Sequence, residues 1–269
     1  MKKIVPQYCR VVFNRRTDTK GCYYSLMVEG FRATGKVSPG QFVHLKPGPG
    51  LDPYFRRAFS IAGWDRERGR LEIIYKIVGR GTALMAELTR GDRVDLIGPL
   101  GNSFSRPGKK TITVLVAGGV GLPPLLFMAQ TLVDTGFPRD KIYFFYGGRT
   151  RHDLVRLSDL RRLGLKLITS TDDGSYGFSG FITDALASRL PDFDRQKTFI
   201  IGCGPEPMLA ALQNLALEQG LVGELSLEAP MPCGVGVCLG CVKPRREEPR
   251  RYVRVCHDGP VFRIGEVSL

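Results

Sequence analysis

Short apolar runs separated by turn formers fill the first hundred residues. "YCRVVFN", "CYYSLMVEG", "GQFVHLK", "RAFSIAG", "LEIIYKIVG" and "DRVDLIGPLG" are rich in Val, Ile, Phe and Tyr, and Gly, Pro and Asp punctuate them. Six such runs predict a small antiparallel barrel over residues 1–106, interrupted by one short helix at "TALMAEL". The rhythm then changes. "KTITVLVAGG", "KIYFFYGGRT", "LKLITSTDDGS" and "KTFIIGCGP" read as buried strands. Helical patterns at "PPLLFMAQTLVDTG", "HDLVRLSDLRRLG", "GFITDALASRL" and "EPMLAALQNLALEQG" separate or follow them. This alternation predicts a parallel α/β sheet with crossover helices over residues 107–222. "SRPGKK", residues 105–110, is the natural linker. Residues 223–269 are Cys- and Gly-rich and too few to build much core alone. The expected fold class is therefore an all-β barrel, an α/β domain and a small C-terminal segment, with no internal repeat.

Composition adds limits. The chain has 269 residues, 43% hydrophobic and 24% charged, which suits a soluble globular protein. Its net charge of +13 raises the question of nucleic acid. The basic residues are scattered and no nucleic-acid-binding motif accompanies them, so a solvated surface is the expectation. The densest basic stretch is "KPRREEPRRYVR", residues 243–254. Residues 111–133 carry no charge, but "AGGVGLPP" in their middle would break a membrane helix. The apolar run near the start is short and broken by Pro6, Gln7 and Arg10, unlike a signal peptide. Seven cysteines without an export signal point to the cytoplasm, where clustered thiols hold metals more often than disulfides.

Cys233, Cys238 and Cys241 follow Cys-x4-Cys-x2-Cys, with Cys256 downstream. That is the plant-type spacing of a 2Fe–2S cluster. Gly234, Gly236 and Gly240 let the loop curl so that N–H groups point at sulfur. Val235, Val237 and Leu239 are expected to shield the cluster. The alternative is a zinc site, although the x4 gap is unusual for one. Cys9 and Cys22 read as small buried hydrophobes on strands.

Four further motifs suit nucleotides. "RRAFSIAG", at the junction of two barrel strands, sets a guanidinium beside a hydroxyl, a pair able to hold a pyrophosphate and a flavin ring. "GRGTALMAEL" turns tightly into a helix, with a phosphate site or a plain cap by Thr82 as the two readings. "VLVAGGVGLPPLL" places Gly118, Gly119 and Gly121 between a strand and a helix, where small residues let a diphosphate approach the backbone. "IIGCGPEPML" repeats that design, with Cys203 and Gly204 at a strand's carboxyl end; a plain buried thiol is the other reading of Cys203. Asp172 and Asp173 are candidates for ribose hydroxyls, or form a surface turn. Arg149 and Arg151 face an adenosine phosphate or solvent, and leave room for a 2′-phosphate. No acid–base pair for substrate chemistry stands out, so no catalytic residue is assigned.

With these motifs in place, the chain resembles the ferredoxin–NADP reductase superfamily over its first 220 or so residues. With "SLEAPMPCGVGVCLGCV" and "VRVCHDGPVF" included, it resembles the electron-transfer subunits of dihydroorotate dehydrogenase B over essentially the whole chain. The resemblance implies FAD in the barrel, contacted by Arg57, Ala58, Phe59, Ser60, Ile74, Tyr75, Lys76, Gly81 and Thr82. It implies NAD(H) on the α/β domain and a 2Fe–2S cluster ligated by Cys233, Cys238, Cys241 and Cys256. The partner it implies is an FMN-containing dihydroorotate dehydrogenase catalytic subunit, in a heterotetramer of two copies of each, serving pyrimidine (UMP) biosynthesis. Pro230 and Pro232 depart from the family pattern and stiffen the approach to the cluster. Two other readings stay open. One is a related NAD(P)H-dependent flavin and iron–sulfur subunit serving ferredoxin, sulfide, hydrogenase or transhydrogenase chemistry. The other is a zinc-stabilised adaptor.

Overall fold

The computed structural model describes all residues except 1–4, 19, 21, 34, 49 and 51, so the basic start of the chain lies outside the described residues. The six apolar runs become β1 (Gln7–Arg16), β2 (Tyr23–Glu29), β3 (Phe42–Leu45), β4 (Arg57–Asp65), β5 (Arg70–Lys76) and β6 (Arg93–Leu100). They close into an antiparallel barrel in the order β1-β2-β5-β4-β3-β6. Alternating residues on a strand face opposite sides. Val43 and Leu45 thus join Ile61, Ile73 and Leu96 inside the barrel, whereas Phe42 packs outward against the C-terminal segment. The "RRAFSIAG" run is not a junction of two strands. Its Arg57–Gly63 part lies within the single strand β4, which also holds Trp64 and Asp65. Helix α1 (Arg80–Ala86) inserts Met85 into the barrel core.

The second region is a parallel sheet carried by β7 (Ile112–Gly118), β8 (Ile142–Gly148), β9 (Lys166–Thr171), β10 (Phe178–Ser179), β11 (Thr198–Cys203) and β12 (Val222–Ser226). Its helices are α2 (Leu122–Asp134), α3 (Leu157–Arg162), α4 (Ile182–Ala187) and α5 (Glu206–Glu218). The uncharged 111–133 stretch is therefore β7, a glycine turn and α2, and among the described residues no helix is long and apolar enough to cross a membrane.

The helix expected from "HDLVRLSDLRRLG" is shorter than the pattern suggests. Arg151–Asp153 form a single 3-10 turn and α3 starts only at Leu157. Between them Arg156 adopts a left-handed φ of 59°, which no α-helix continues through.

Beyond β12 the chain forms a hairpin of β13 (Val242–Pro244) and β14 (Tyr252–Arg254), then returns as β15 (Val261–Arg263). β15 pairs antiparallel with β12, giving the sheet order β10-β9-β8-β7-β11-β12-β15. Asn102, just after β6, donates to the Val261 carbonyl at 2.8 Å and accepts from the Val261 N–H at 2.9 Å. Ser105 in the linker donates to Glu224 on β12 at 2.5 and 2.8 Å. These bonds hold the barrel, the sheet and the C-terminal segment against one another.

Candidate functional site

A cavity of about 530 Å³ opens where the three regions meet. All nine barrel residues singled out from the sequence line it: Arg57, Ala58, Phe59 and Ser60 on β4, Ile74, Tyr75 and Lys76 on β5, and Gly81 and Thr82 on α1. The two barrel motifs touch. A Cβ placed on Gly81 would lie 3.3 Å from Arg57 Nε, so glycine lets α1 approach the guanidinium without crowding it. Arg57 is held in turn by the carbonyls of Phe55 at 2.7 Å and Arg56 at 3.2 Å. Thr82 is not the N-cap. It is the third helical residue, and its hydroxyl reaches back to the N–H groups of Val78 at 2.9 Å and Gly79 at 3.3 Å. Lys76 points away to the α/β domain, where its Nζ meets Asp153 Oδ1 at 2.8 Å.

The glycine loop contributes Val120 and Pro123 to the same cavity. Gly118, Gly119 and Gly121 gather at the carboxyl end of β7, beside Cys203 and Gly204 at the end of the neighbouring β11. Their small size serves protein packing directly. A Cβ on Gly121 would overlap the Cys203 carbonyl, and one on Gly204 would lie 3.1 Å from Gly118 Cα. The Cys203 thiol is fully enclosed, and burial pushes its pKa strongly upward. The loops after β8 and β9 also meet: Asp173 N–H donates to the Arg149 carbonyl at 3.2 Å, and Arg151 lies over the Tyr176 ring at 5.5 Å. Asp173 Oδ1 accepts from Ser175 N–H and Oγ, so that carboxylate closes its own turn, while Asp172, Arg149 and Arg151 remain exposed.

From the far wall, Met231 and Pro232 of the C-terminal segment line the cavity immediately before Cys233. The four cysteines stand as two neighbouring pairs, Cys233 with Cys238 and Cys241 with Cys256. Backbone N–H groups point at sulfur throughout: Gly236 to Cys256 Sγ at 3.1 Å, Gly240 to Cys238 at 3.4 Å, Val235 to Cys233 at 3.5 Å and Cys256 to Cys241 at 3.4 Å. Burial acts upward on the Cys233 thiol, but the N–H donors outweigh it and bring its pKa down to about 6. Positive φ at Gly234 and Gly236 and at Leu239 makes this curl. Among the described residues no three ligand-type side chains converge on one ion position. Two thiol pairs ringed by N–H donors fit a two-iron cluster, in which each iron takes two cysteines.

Val235 is half-buried against the apolar cluster that includes Cys241 and Cys256, but the other two apolar residues of the loop depart from expectation. Val237 is 80% exposed and Leu239 59%, so they do not enclose the thiols but form an apolar rim around the exposed Cys238. Cys22 lies just before β2 and is half-buried, whereas Cys9 on β1 is fully buried and its thiol is pushed up to about 12, first by burial and then by Asp95.

Sequence reasoning missed His44 and Glu228. His44 on β3 is fully buried, and a Cβ on Gly234 would lie 2.6 Å from its Nδ1. Burial lowers its pKa to about 4. Glu228 lies on the cavity wall, where the surrounding protein raises its carboxyl pKa. Neither sits in a spacing pattern that would have exposed it.

The iron–sulfur cluster binding domain of dihydroorotate dehydrogenase B matches residues 228–268, and the oxidoreductase NAD-binding domain matches residues 115–214. The chain is 39% identical over 250 residues to the dihydroorotate dehydrogenase B (NAD(+)) electron transfer subunit of Bacillus caldolyticus, covering 91% of this chain and 93% of that one. It is 36% identical over 263 residues to the Bacillus cereus subunit of the same name, covering 96% and 97%. Among solved structures it resembles an NADH-dependent reduced ferredoxin-NADP oxidoreductase described for flavin-based electron bifurcation. The TM-score is 0.82 at 27% identity, over 97% of this chain and 89% of that one.

Proposed function

The chain belongs to the family of dihydroorotate dehydrogenase B (NAD+) electron-transfer subunits, and from that premise we propose how its residues divide the work. It is an oxidoreductase subunit that passes electrons between NAD(H), FAD and a 2Fe–2S cluster. A bound flavin exchanges a hydride with nicotinamide and single electrons with a cluster, so its place is between the two.

The observation that carries the assignment of residues is the shared cavity, walled by the barrel motifs, the glycine loop and the approach to Cys233. Arg57, Ala58, Phe59 and Ser60 on β4, with Ile74, Tyr75 and Lys76 on β5, hold FAD. The Arg57 guanidinium against Gly81 and Thr82 supplies the positive charge that a pyrophosphate needs. Lys76 contributes through its backbone and stem, because its ammonium is engaged by Asp153. Gly118, Gly119, Gly121, Cys203 and Gly204 shape the carboxyl edge of the sheet, where an open α/β fold takes its nucleotide. Asp172 takes the ribose hydroxyls, and Arg149 with Arg151 takes the adenosine phosphate. Cys233, Cys238, Cys241 and Cys256 ligate the cluster. Residues 1–106, 107–222 and 223–269 are the corresponding functional divisions.

An electron-transfer subunit works with a catalytic partner subunit. We assign that partner FMN and two copies alongside two of this chain, in the cytoplasm. The apolar rim of Val237 and Leu239 and the basic hairpin 243–254 beside it form the face for docking. Anaerobic purification with flavin, iron and sulfide analysis tests the cofactor set. FAD with iron and sulfide in equal amounts supports it, and stoichiometric zinc without iron overturns it. Arg57→Ala is expected to lower the flavin content and leave the iron content unchanged.

A further inference from the structure

We propose that His44 is a positioning residue that fastens the cysteine loop to the outer wall of the barrel beside the flavin strand. The inference rests on the reading above, in which β4 contacts the flavin and the loop holds the cluster.

On β3 the residues on either side of His44, Val43 and Leu45, enter the barrel core. His44 faces the other way, toward the C-terminal segment. Its strand partners are Ala58 on β4 and Ile97 on β6. Both pack against the apolar cluster that includes Cys241, Val255 and Cys256. His44 is therefore a fully buried polar ring set in an apolar wall. Such a group is unfavourable unless it is hydrogen-bonded, so an aliphatic residue would serve better if the wall needed only packing.

The loop side supplies the need. No strand spans the stretch around Met231 and Cys233, between β12 and β13, so the carbonyls of these two residues have no ladder to join. The backbone acceptors of Met231 and Cys233 face the imidazole. Both ring nitrogens are enclosed without an aligned partner, so the bond proposed here, to one of these carbonyls, is the one that satisfies the buried ring. Gly234 closes the contact from above. Its φ is +70°, and a Cβ there would lie 2.6 Å from Nδ1. A neutral imidazole has one N–H, and whichever carbonyl receives it, the same loop is held. Ala58 lines the cavity and pairs with His44, while Cys233 lies two residues after Met231, across Pro232. One ring thus links the strand assigned to the flavin with the first ligand assigned to the cluster.

The test uses the full chain carrying its flavin and cluster, as His44→Leu and His44→Asn. Rapid mixing with NADH reads flavin reduction and cluster reduction separately, and electron paramagnetic resonance reads the reduced cluster's line shape. Removing the proposed hydrogen bond shifts the docked loop's population about tenfold, so His44→Leu is expected to slow cluster reduction about tenfold and broaden the resonance. NADH oxidation by a dye acceptor stays unchanged. His44→Asn, which keeps an N–H donor, restores cluster reduction to within about twofold of the parent. If His44→Leu does not fold, His44→Met, an unbranched apolar side chain with no N–H, carries the same comparison. Equal cluster reduction and line shape in all variants would overturn the proposal. So would a parallel fall in dye activity and cluster reduction, which marks a general packing role. Absence of any flavin reduction in the parent protein would instead overturn the flavin-site reading beneath it.

Discussion

Asp153, in the loop after β8, forms a 2.8 Å ion pair with Lys76 at the end of barrel strand β5. Tyr23 on β2 donates to the same Oδ1 at 2.9 Å. A second latch lies alongside, where Arg156 meets Glu72 on β5 at 2.5 Å. These contacts join the barrel to the loop that also carries Arg149 and Arg151. The left-handed φ of Arg156 is thereby explained: the residue is held by Glu72 and Asp159 rather than by helix geometry.

Replacing Asp153 should therefore loosen the domains as well as the loop. Asp153→Ala is expected to lower unfolding free energy by about 2–4 kcal/mol, measured in urea. Burial raises the Asp153 pKa, but the hydrogen bonds from Lys76 and Tyr23 outweigh it, so the carboxyl is depressed in the folded chain. A depressed carboxylate stabilises above its unfolded value and loses that contribution as pH falls. The stability gap between parent and Asp153→Asn should thus hold constant above about pH 5 and shrink below about pH 4. A gap independent of pH would show that the charge is not what the latch uses.

Gly121 has no room for a side chain. A Cβ there overlaps the Cys203 carbonyl, which is backbone and cannot swing aside. Gly121→Ala is expected to destabilise by about 2–4 kcal/mol and to raise the KM for NADH more than it changes flavin content. Unchanged stability and KM would contradict the packing described.

The cysteines should separate from the flavin. Cys238→Ser and Cys256→Ser are each expected to remove most of the iron while flavin content and NADH-to-dye activity persist. Iron and sulfide analysis beside the flavin absorbance checks this. A chelator that strips iron should reproduce the pattern in the parent chain.

Charge in the hairpin should matter for the partner alone. Arg246 and Arg250 are exposed, whereas Lys243, Arg245, Arg251 and Arg254 make ion pairs with Glu206, Glu266, Glu248 and Asp258. Arg246→Glu with Arg250→Glu is expected to slow electron delivery to the catalytic subunit, more so at low salt, and to leave the dye reaction intact. If both rates fall together, the docking face is misassigned.

The fold was legible wherever local pattern and local role agree. The six barrel runs, the glycine turn before α2 and the cysteine spacing each state their structure within a few residues. Long-range contacts were not legible. Lys76 lies on a strand that lines the cavity, but its ammonium answers to Asp153, 77 residues away. Val237 and Leu239 have the composition of a shield, yet the loop's positive φ values turn them outward. Arg156 looks like a helical residue until Glu72 draws it out of the helix. His44 is one apolar-strand residue among neighbours until Gly234 settles against it. The pairing of β15 with β12 likewise depends on the chain's return after the hairpin, which no local signal announces.

The relay itself is tested most directly by mixing the isolated, anaerobic holoprotein with NADH in the absence of any partner. Flavin absorbance and the cluster's paramagnetic signal are followed in the same sample. The account predicts that the flavin is reduced first and that a 2Fe–2S signal then grows at the flavin's expense. A flavin that stays reduced beside a cluster that never becomes paramagnetic would contradict it.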